Sequence, residues 1–271
     1  MSAQTTYIDT HAHLDEEQFP DVDAVIAAAH AAGVRRIINI GYGPRRWQTT
    51  IDLAHRYPEV AFCLGLHPSD ADLFNDELAE RLAALVDTEQ PVGIGEAGID
   101  LFRDGPELRR QQEAFAFQID LALERGLPLV IHQRAAEDEV YAQLAAADPR
   151  LRVVLHSFDA SSRMLDLAID RGWHIGVGGL MTRQSAAAVR EVLARAPLDR
   201  LLLETDSPYL VPAGIKARRN VPANIPAIAA RLAELLEVPV AEIATRTTEN
   251  ALSAFPRLAL VSAGLNGTEL S

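Results

Sequence analysis

Arg125-Gly126-Leu127-Pro128-Leu129-Val130-Ile131-His132 contains, in eight residues, the unit from which this chain is built. A glycine stands where an amphipathic helical pattern stops, an apolar run follows, and a histidine comes directly after the run. Glycine accepts the left-handed conformation at a helix end without a side-chain clash. An apolar run with little polar alternation is what a parallel strand covered on both faces requires. The same helix, glycine, strand punctuation recurs at Ala32-Gly33-Val34 and Arg171-Gly172-Trp173.

Working outward, the apolar runs are Tyr7–Thr10, Arg36–Gly41, Val60–Leu66, Pro91–Gly95, Leu127–Ile131, Arg152–Leu155, Trp173–Val177 and Leu201–Leu203. Between them lie Ala-rich amphipathic stretches such as Val22 to Ala32, Leu78 to Val86, Glu107 to Glu124 and Ala186 to Arg195, each long enough for a crossover helix. Eight strands, each followed by a helix, predict a (β/α)8 TIM barrel, with an open doubly wound sheet as the competing arrangement. Pro208, Pro212, Pro222 and Pro226 mark a loop after the eighth run, before two further helical stretches at Ile225–Leu236 and Val240–Phe255. The expected organisation is one domain over residues 1–258, with a tail over 259–271.

Composition narrows the function. With 48% hydrophobic, 23% charged and 6% aromatic residues, the 271-residue chain is a globular protein able to bury a large core. Thirty-eight acidic against 25 basic residues give a net charge of −13, which repels polyanions and membrane surfaces and disfavours a passive nucleic-acid clamp. Lys216 is the only lysine, so no G-x-x-x-x-G-K-[ST] phosphate loop exists, and Cys63 is the only cysteine, so neither an intrachain disulfide nor an all-thiolate metal site can form. The N-terminus lacks the basic and apolar regions of an export signal, and no apolar run reaches membrane-spanning length, so the expected location is cytoplasmic.

The chemistry stands at the ends of the runs. The first ends in Thr10-His11-Ala12-His13, the third is followed by His67, the fourth by Glu96, the fifth by His132, the sixth by His156 and the eighth by Glu204-Thr205-Asp206. In a barrel the C-terminal strand ends share one face, where the catalytic residues of this fold sit. His11 and His13, two apart on an extended chain, point the same way. Imidazole suits zinc and other borderline divalent ions, with carboxylates completing such sites. His11, His13, His132 and His156 with Glu96 and Asp206 exceed one tetrahedral set. They predict two metals about 3.5 Å apart with Glu96 as the candidate bridge. His67 is placed on the same rim as a donor or substrate contact, whereas His30, His55 and His174 fall within helical or strand patterns and are given no chemistry. Gly93-Ile94-Gly95-Glu96-Ala97-Gly98 spells G-x-G-x-x-G, but no helix begins there and Glu96 would repel a pyrophosphate; its glycines fit close approach around a ligand glutamate.

Asp9-Thr10-His11-Ala12-His13-Leu14-Asp15, Gly65-Leu66-His67-Pro68, Gly93-Ile94-Gly95-Glu96-Ala97-Gly98-Ile99-Asp100, Pro128-Leu129-Val130-Ile131-His132 and Glu204-Thr205-Asp206-Ser207-Pro208-Tyr209-Leu210 together resemble the TatD family of metal-dependent hydrolases. The resemblance runs from the first strand to Phe255. It implies a TIM barrel of the amidohydrolase-like superfamily and a deoxyribonuclease activity. It also implies that His11, His13 and Asp206 bind one divalent ion (Zn, Mg or Mn), that His132 and His156 bind a second, and that Glu96 is shared. His67 and Arg219, the latter in Arg218-Arg219-Asn220-Val221-Pro222, would face the substrate. Two stretches depart from the family pattern: Leu101-Phe102 where an aromatic pair is common, and Ser157-Phe158-Asp159-Ala160-Ser161 after the sixth-run histidine.

The leading expectation is therefore hydrolysis of DNA phosphodiesters, with DNA as a transient substrate and no obligate protein partner. Metal lowers the pKa of water from 15.7 to about 7, and Asp206 is the expected proton acceptor, with Glu96 the other carboxylate of the catalytic centre and Arg219 on a neighbouring phosphate. The acidic balance favours trimming of short or single-stranded ends over long duplex. The alternatives are ester or amide hydrolysis, such as removal of a mischarged amino acid from tRNA, and a non-catalytic scaffold barrel.

Overall fold

The computed structural model describes residues 5–263. Among these, eight strands form one sheet in sequence order, β1 (Tyr7–Ala12), β2 (Val34–Gly41), β3 (Val60–Leu64), β4 (Gly93–Asp100), β5 (Leu129–Arg134), β6 (Val153–Leu155), β7 (His174–Val177) and β8 (Leu201–Leu203). The pairings β1–β2, β3–β4, β4–β5, β5–β6 and β7–β8 are parallel. The connecting helices are α1 (Val22–Ala31), α2 (Trp47–Arg56), α3 (Asp76–Glu89), α4 (Leu108–Arg125), α5 (Glu137–Ala146), α6 (Ser162–Asp170) and α7 (Ala187–Leu193); α8 (Ile225–Leu236), α9 (Val240–Ala254) and α10 (Pro256–Ala263) follow the last strand.

The first strand meets the end of the last. Thr10 Oγ1 donates to Leu203 O at 3.1 Å, Asp206 N–H donates to His11 O at 2.9 Å, and Ala12 and Ser207 form a parallel bridge. Sequential order with this return is the (β/α)8 barrel expected from the eight apolar runs.

The described chain divides into two compact units, residues 5–39 with 157–253, and 40–156 with 254–263. In the first, Asp21 caps α1 by accepting the Ala24 N–H at 2.9 Å, and Trp173, Ile175 and Leu201 are buried. In the second, every residue of β4 is buried, and the buried Trp47 donates its indole N–H to Gly65 O at 2.8 Å. The expected helix ends at Gly33, Gly126 and Gly172 all have positive φ, between 62° and 88°. No described helix is long and apolar enough to cross a membrane.

Several strands outlast their apolar runs. β4 continues through Asp100 and β5 through Arg134, with Gly98 opposite His132 and Asp100 opposite Arg134. Glu96 and His132 are thus within strands. Backbone pairing persists where the side chains turn polar, and hydropathy cannot register that. The expected boundary at 258/259 falls inside α10, and residues 264–271 of the expected tail lie outside the described residues.

His174, at the start of β7, supplies an acid-sensitive element. The ring is buried, its Nε2 has no hydrogen-bond partner among the described residues, and burial with the nearby Arg200 lowers its pKa to about 4. Between pH 6.5 and 4 the unfolded chain takes up a proton that the folded ring refuses, so this contribution is complete above pH 6.5 and lost as pH falls toward 4. Equilibrium denaturation from pH 7 to pH 4.5 is expected to show a loss of up to about 3 kcal/mol from this group. His174→Phe should flatten that limb of the profile.

Candidate metal centre

In the first unit the candidate ligands come from β1 and the segment after β8. Asp9 makes their placement possible. Its carboxylate is fully buried and accepts three hydrogen bonds, from His11 N–H at 3.2 Å, Thr205 N–H at 3.0 Å and Thr205 Oγ1 at 2.6 Å. Burial raises its pKa to about 7, with the Thr205 donors opposing that rise. Because Thr205 gives its hydroxyl proton to Asp9, its oxygen accepts from Ser207 N–H at 3.2 Å and from Ser207 Oγ at 2.6 Å. Asp206 lies between these anchored residues with φ at 57°, a left-handed conformation held from both sides.

The result is a tight donor set. Ligand atoms of His11, His13 and Asp206 all lie within 4.8 Å of one another. Asp206 Oδ1 is 3.3 Å from His13 Nε2 and 3.9 Å from His11 Nε2. Two donors each ~2.1 Å from one tetrahedral ion stand ~3.4 Å apart, so these separations fit a shared divalent ion. Two imidazoles and a carboxylate are also the donor chemistry that such an ion takes.

In the second unit Glu96, His132 and His156 converge. Glu96 Oε1 is 2.7 Å from His132 Nδ1 and 3.8 Å from His156 Nε2. His132 Nε2 in turn lies 3.1 Å from Asp100 Oδ2. Burial pulls the His132 pKa down, but Asp100 and Glu96 more than reverse this and carry it to about 9. Burial likewise raises Asp100, yet His132 and the Phe102 and Arg103 N–H groups bring it to about 2. A cation taken up at Nδ1 must displace that proton while Asp100 keeps hold of Nε2, the usual arrangement for a ligand histidine oriented by a carboxylate.

Two glycines let Glu96 approach His132. Gly95 and Gly98 have φ of 134° and 144°, and a Cβ at Gly98 would stand 1.9 Å from His132 O. The expected close approach around Glu96 is present as strand packing, with Gly95 against Val130 and Gly98 against His132. Buried Gln111 and Gln118, two turns apart on α4, hold the flanking backbone. Gln118 accepts from Leu66 N–H at 2.8 Å and donates to Leu66 O at 3.0 Å. Gln111 treats Asp100 the same way, at 2.9 and 3.2 Å.

His67 follows Leu66. Its Nδ1 accepts the Ser69 backbone N–H at 3.1 Å, and since a backbone N–H can only donate, the neutral ring carries its proton on Nε2. Although His67 lies within ligand range of Glu96 and His132, this tautomer makes it a hydrogen-bond donor. Its ring packs edge-on to His132 with centroids 4.3 Å apart. Arg219 is exposed in the loop after β8, its guanidinium over the buried Phe19 ring at 5.8 Å. Asn220, fully buried, ties that loop to Thr205 O at 2.7 Å.

The structure thus gathers His11, His13 and Asp206 in one unit and Glu96, His132, His156 and His67 in the other. Asp9, Asp100, Gln111, Gln118 and Asn220 carry positioning roles that the sequence reading did not assign. Polar residues beside apolar ones were the available signal for Asp9 and Gln118, whereas Gln111 stands among charged and polar neighbours and carried no such signal.

A strand-ordered barrel with histidine and carboxylate donors on and just after its strands has the make-up of a metal-dependent hydrolase. The family model described as TatD related DNase matches residues 8–256, and the chain belongs to that family. It is 35% identical to the uncharacterized metal-dependent hydrolase YabD of Bacillus subtilis, covering 91% of this chain and 98% of that protein. It is 34% identical to the 3'-5' ssDNA/RNA exonuclease TatD of Salmonella typhimurium, covering 83% and 89%. The crystal structure of the Escherichia coli TatD homolog YjjV superposes with a TM-score of 0.87 at 35% identity, covering 92% and 98%.

Asp100→Ala is expected to weaken metal binding at the Glu96 and His132 group by roughly 10- to 100-fold, measured by calorimetric titration of the metal-stripped protein. Gln118→Leu leaves both backbone groups of Leu66 without their partner and should destabilise the protein by about 1–3 kcal/mol in urea denaturation.

Proposed function

We propose that the protein is a metal-dependent nuclease that hydrolyses phosphodiester bonds at the ends of single-stranded nucleic acid, with one divalent cation at each of the two donor groups. The observation that carries this reading is the set His11, His13 and Asp206, three donors within 4.8 Å of one another, in a chain of this family. Similarity to relatives named as 3'-5' ssDNA/RNA exonucleases supports the substrate class.

Bound divalent cations supply Lewis acidity toward a phosphoryl oxygen and a lowered pKa for water. The rest falls to the chain. His11 and His13 hold an ion through ring nitrogens; Asp206 both binds and accepts the proton of the attacking water at its carboxylate. Glu96, His132 and His156 hold the second cation. The Nε2–H of His67 donates to a phosphate oxygen, and Arg219 takes an adjacent phosphate with its guanidinium. These few cations act locally, because a chain of net charge −13 has no field with which to track a long duplex. Single-stranded ends suit that balance.

The test pairs metal analysis with nuclease assays on labelled linear single strands and on closed circular DNA. Wild type should carry two divalent ions, lose activity on chelation and recover it on adding Zn, Mg or Mn. Asp206→Asn and Glu96→Gln should each reduce the rate on linear strands by at least about 100-fold, the scale of losing a charge-stabilising group. Undiminished cleavage by both variants would refute the assignment, and equal cutting of closed circles would refute the preference for ends.

A further inference from the structure

Phe102 is the most exposed of the large hydrophobic side chains among the described residues, at 65%. A single exposed apolar ring is ordinary on a protein surface. This one differs in how it is held and in what lies against it. Its own N–H donates to Asp100 Oδ1 at 2.9 Å, and the N–H of Leu101 donates to Arg134 O at 2.9 Å. The other oxygen of Asp100 lies 3.1 Å from His132 Nε2. Arg134, the last residue of β5, places its guanidinium carbon 4.0 Å from the ring centroid. One face of Phe102 is thereby backed by a cation, while the exposure of the residue leaves ring surface open to solvent.

We propose that Phe102, backed by Arg134, is a stacking shelf for a terminal nucleobase of the single-stranded substrate. The proposal rests on the nuclease reading above and adds to it a contact with the base. An aromatic ring and an arginine together are the means by which single strands are held without sequence preference, since every base offers a π face. The need for such a contact follows from the charge balance: a protein at −13 cannot gather a polyanion by its overall field, so affinity has to come from short-range contacts. The backbone hydrogen bonds on either side of the ring hold it in place before a base arrives, which lowers the ordering cost of binding. A shelf anchored to the carboxylate that orients His132 also fixes the base relative to that candidate ligand.

The test compares two internally labelled single-stranded oligonucleotides, identical except that one bears thymidine and the other a tetrahydrofuran abasic residue at both ends. The readout is the ratio of kcat/KM for the base-bearing strand over the abasic strand. For wild type this ratio should be on the order of tenfold. It should fall to near unity in Phe102→Ala, persist in Phe102→Trp, and shrink in Arg134→Gln, with circular dichroism verifying that each variant is folded. A wild-type ratio near unity overturns the shelf while leaving the nuclease reading intact. A ratio retained in Phe102→Ala also overturns it, including the case in which both substrates slow equally because the residue acts only through Asp100. Failure of wild type to cleave either strand, with metal present, overturns the nuclease reading and the shelf with it.

Discussion

A carboxylate removed from water must find donors, and Asp9 finds two of its three on Thr205, 196 positions away. Leaving a buried carboxylate without such partners costs several kcal/mol, enough to reject arrangements that do not bring these segments together. The same contact determines what stands beside it. His11 lies in β1 two residues after Asp9, His13 comes just past the strand's end, and Asp206 follows Thr205 directly. The hydrogen bond that satisfies one acid therefore brings a second acid within ligand distance of two imidazoles. Asn220, bonded to Thr205 O, extends the arrangement to the loop that carries Arg219.

The other donor group depends on backbone more than on charge. Gly95 and Gly98 allow β4 to approach β5 at a distance that a Cβ would prevent. Gln111 and Gln118 on α4 pair with both backbone groups of Asp100 and Leu66, doing with side chains what a neighbouring strand would do with amides. His67 and Asp100 inherit their positions from those pairings. His132 is then held between two carboxylates, with one nitrogen turned to Glu96 and the other to Asp100. On the proposed function, acidic residues here have a local purpose, because cations held among them would reverse the sign of the field that a phosphate meets. An acidic protein can in this way act on an acidic polymer.

The barrel was legible because its two signals are local. Apolar runs and amphipathic stretches report which side chains are covered, and eight repetitions of strand and helix leave few ways to close a sheet. The candidate ligands were legible for a related reason: a histidine or carboxylate directly after an apolar run stands where the covered part of a strand gives out, even though Glu96 and His132 lie inside β4 and β5 and not at their ends. Strand length was not legible. β4 and β5 continue beneath polar side chains, and the sequence offers no marker for backbone hydrogen bonds that persist there.

By itself, then, the sequence determined the order of elements, the donor types and their place directly after apolar runs, because burial and helical period are written in neighbouring residues. Tertiary structure alone decided how those donors are aimed. The proton on His67 Nε2 follows from the Ser69 N–H in a turn, and the hold of Asp100 on His132 follows from strand pairing. The exposed ring of Phe102 has its cation because Arg134 ends the adjacent strand. Each depends on an angle and a distance between groups that folding brings together, and hydrogen bonds fail beyond a few tenths of an ångström of misplacement. Composition and spacing carry no information at that scale.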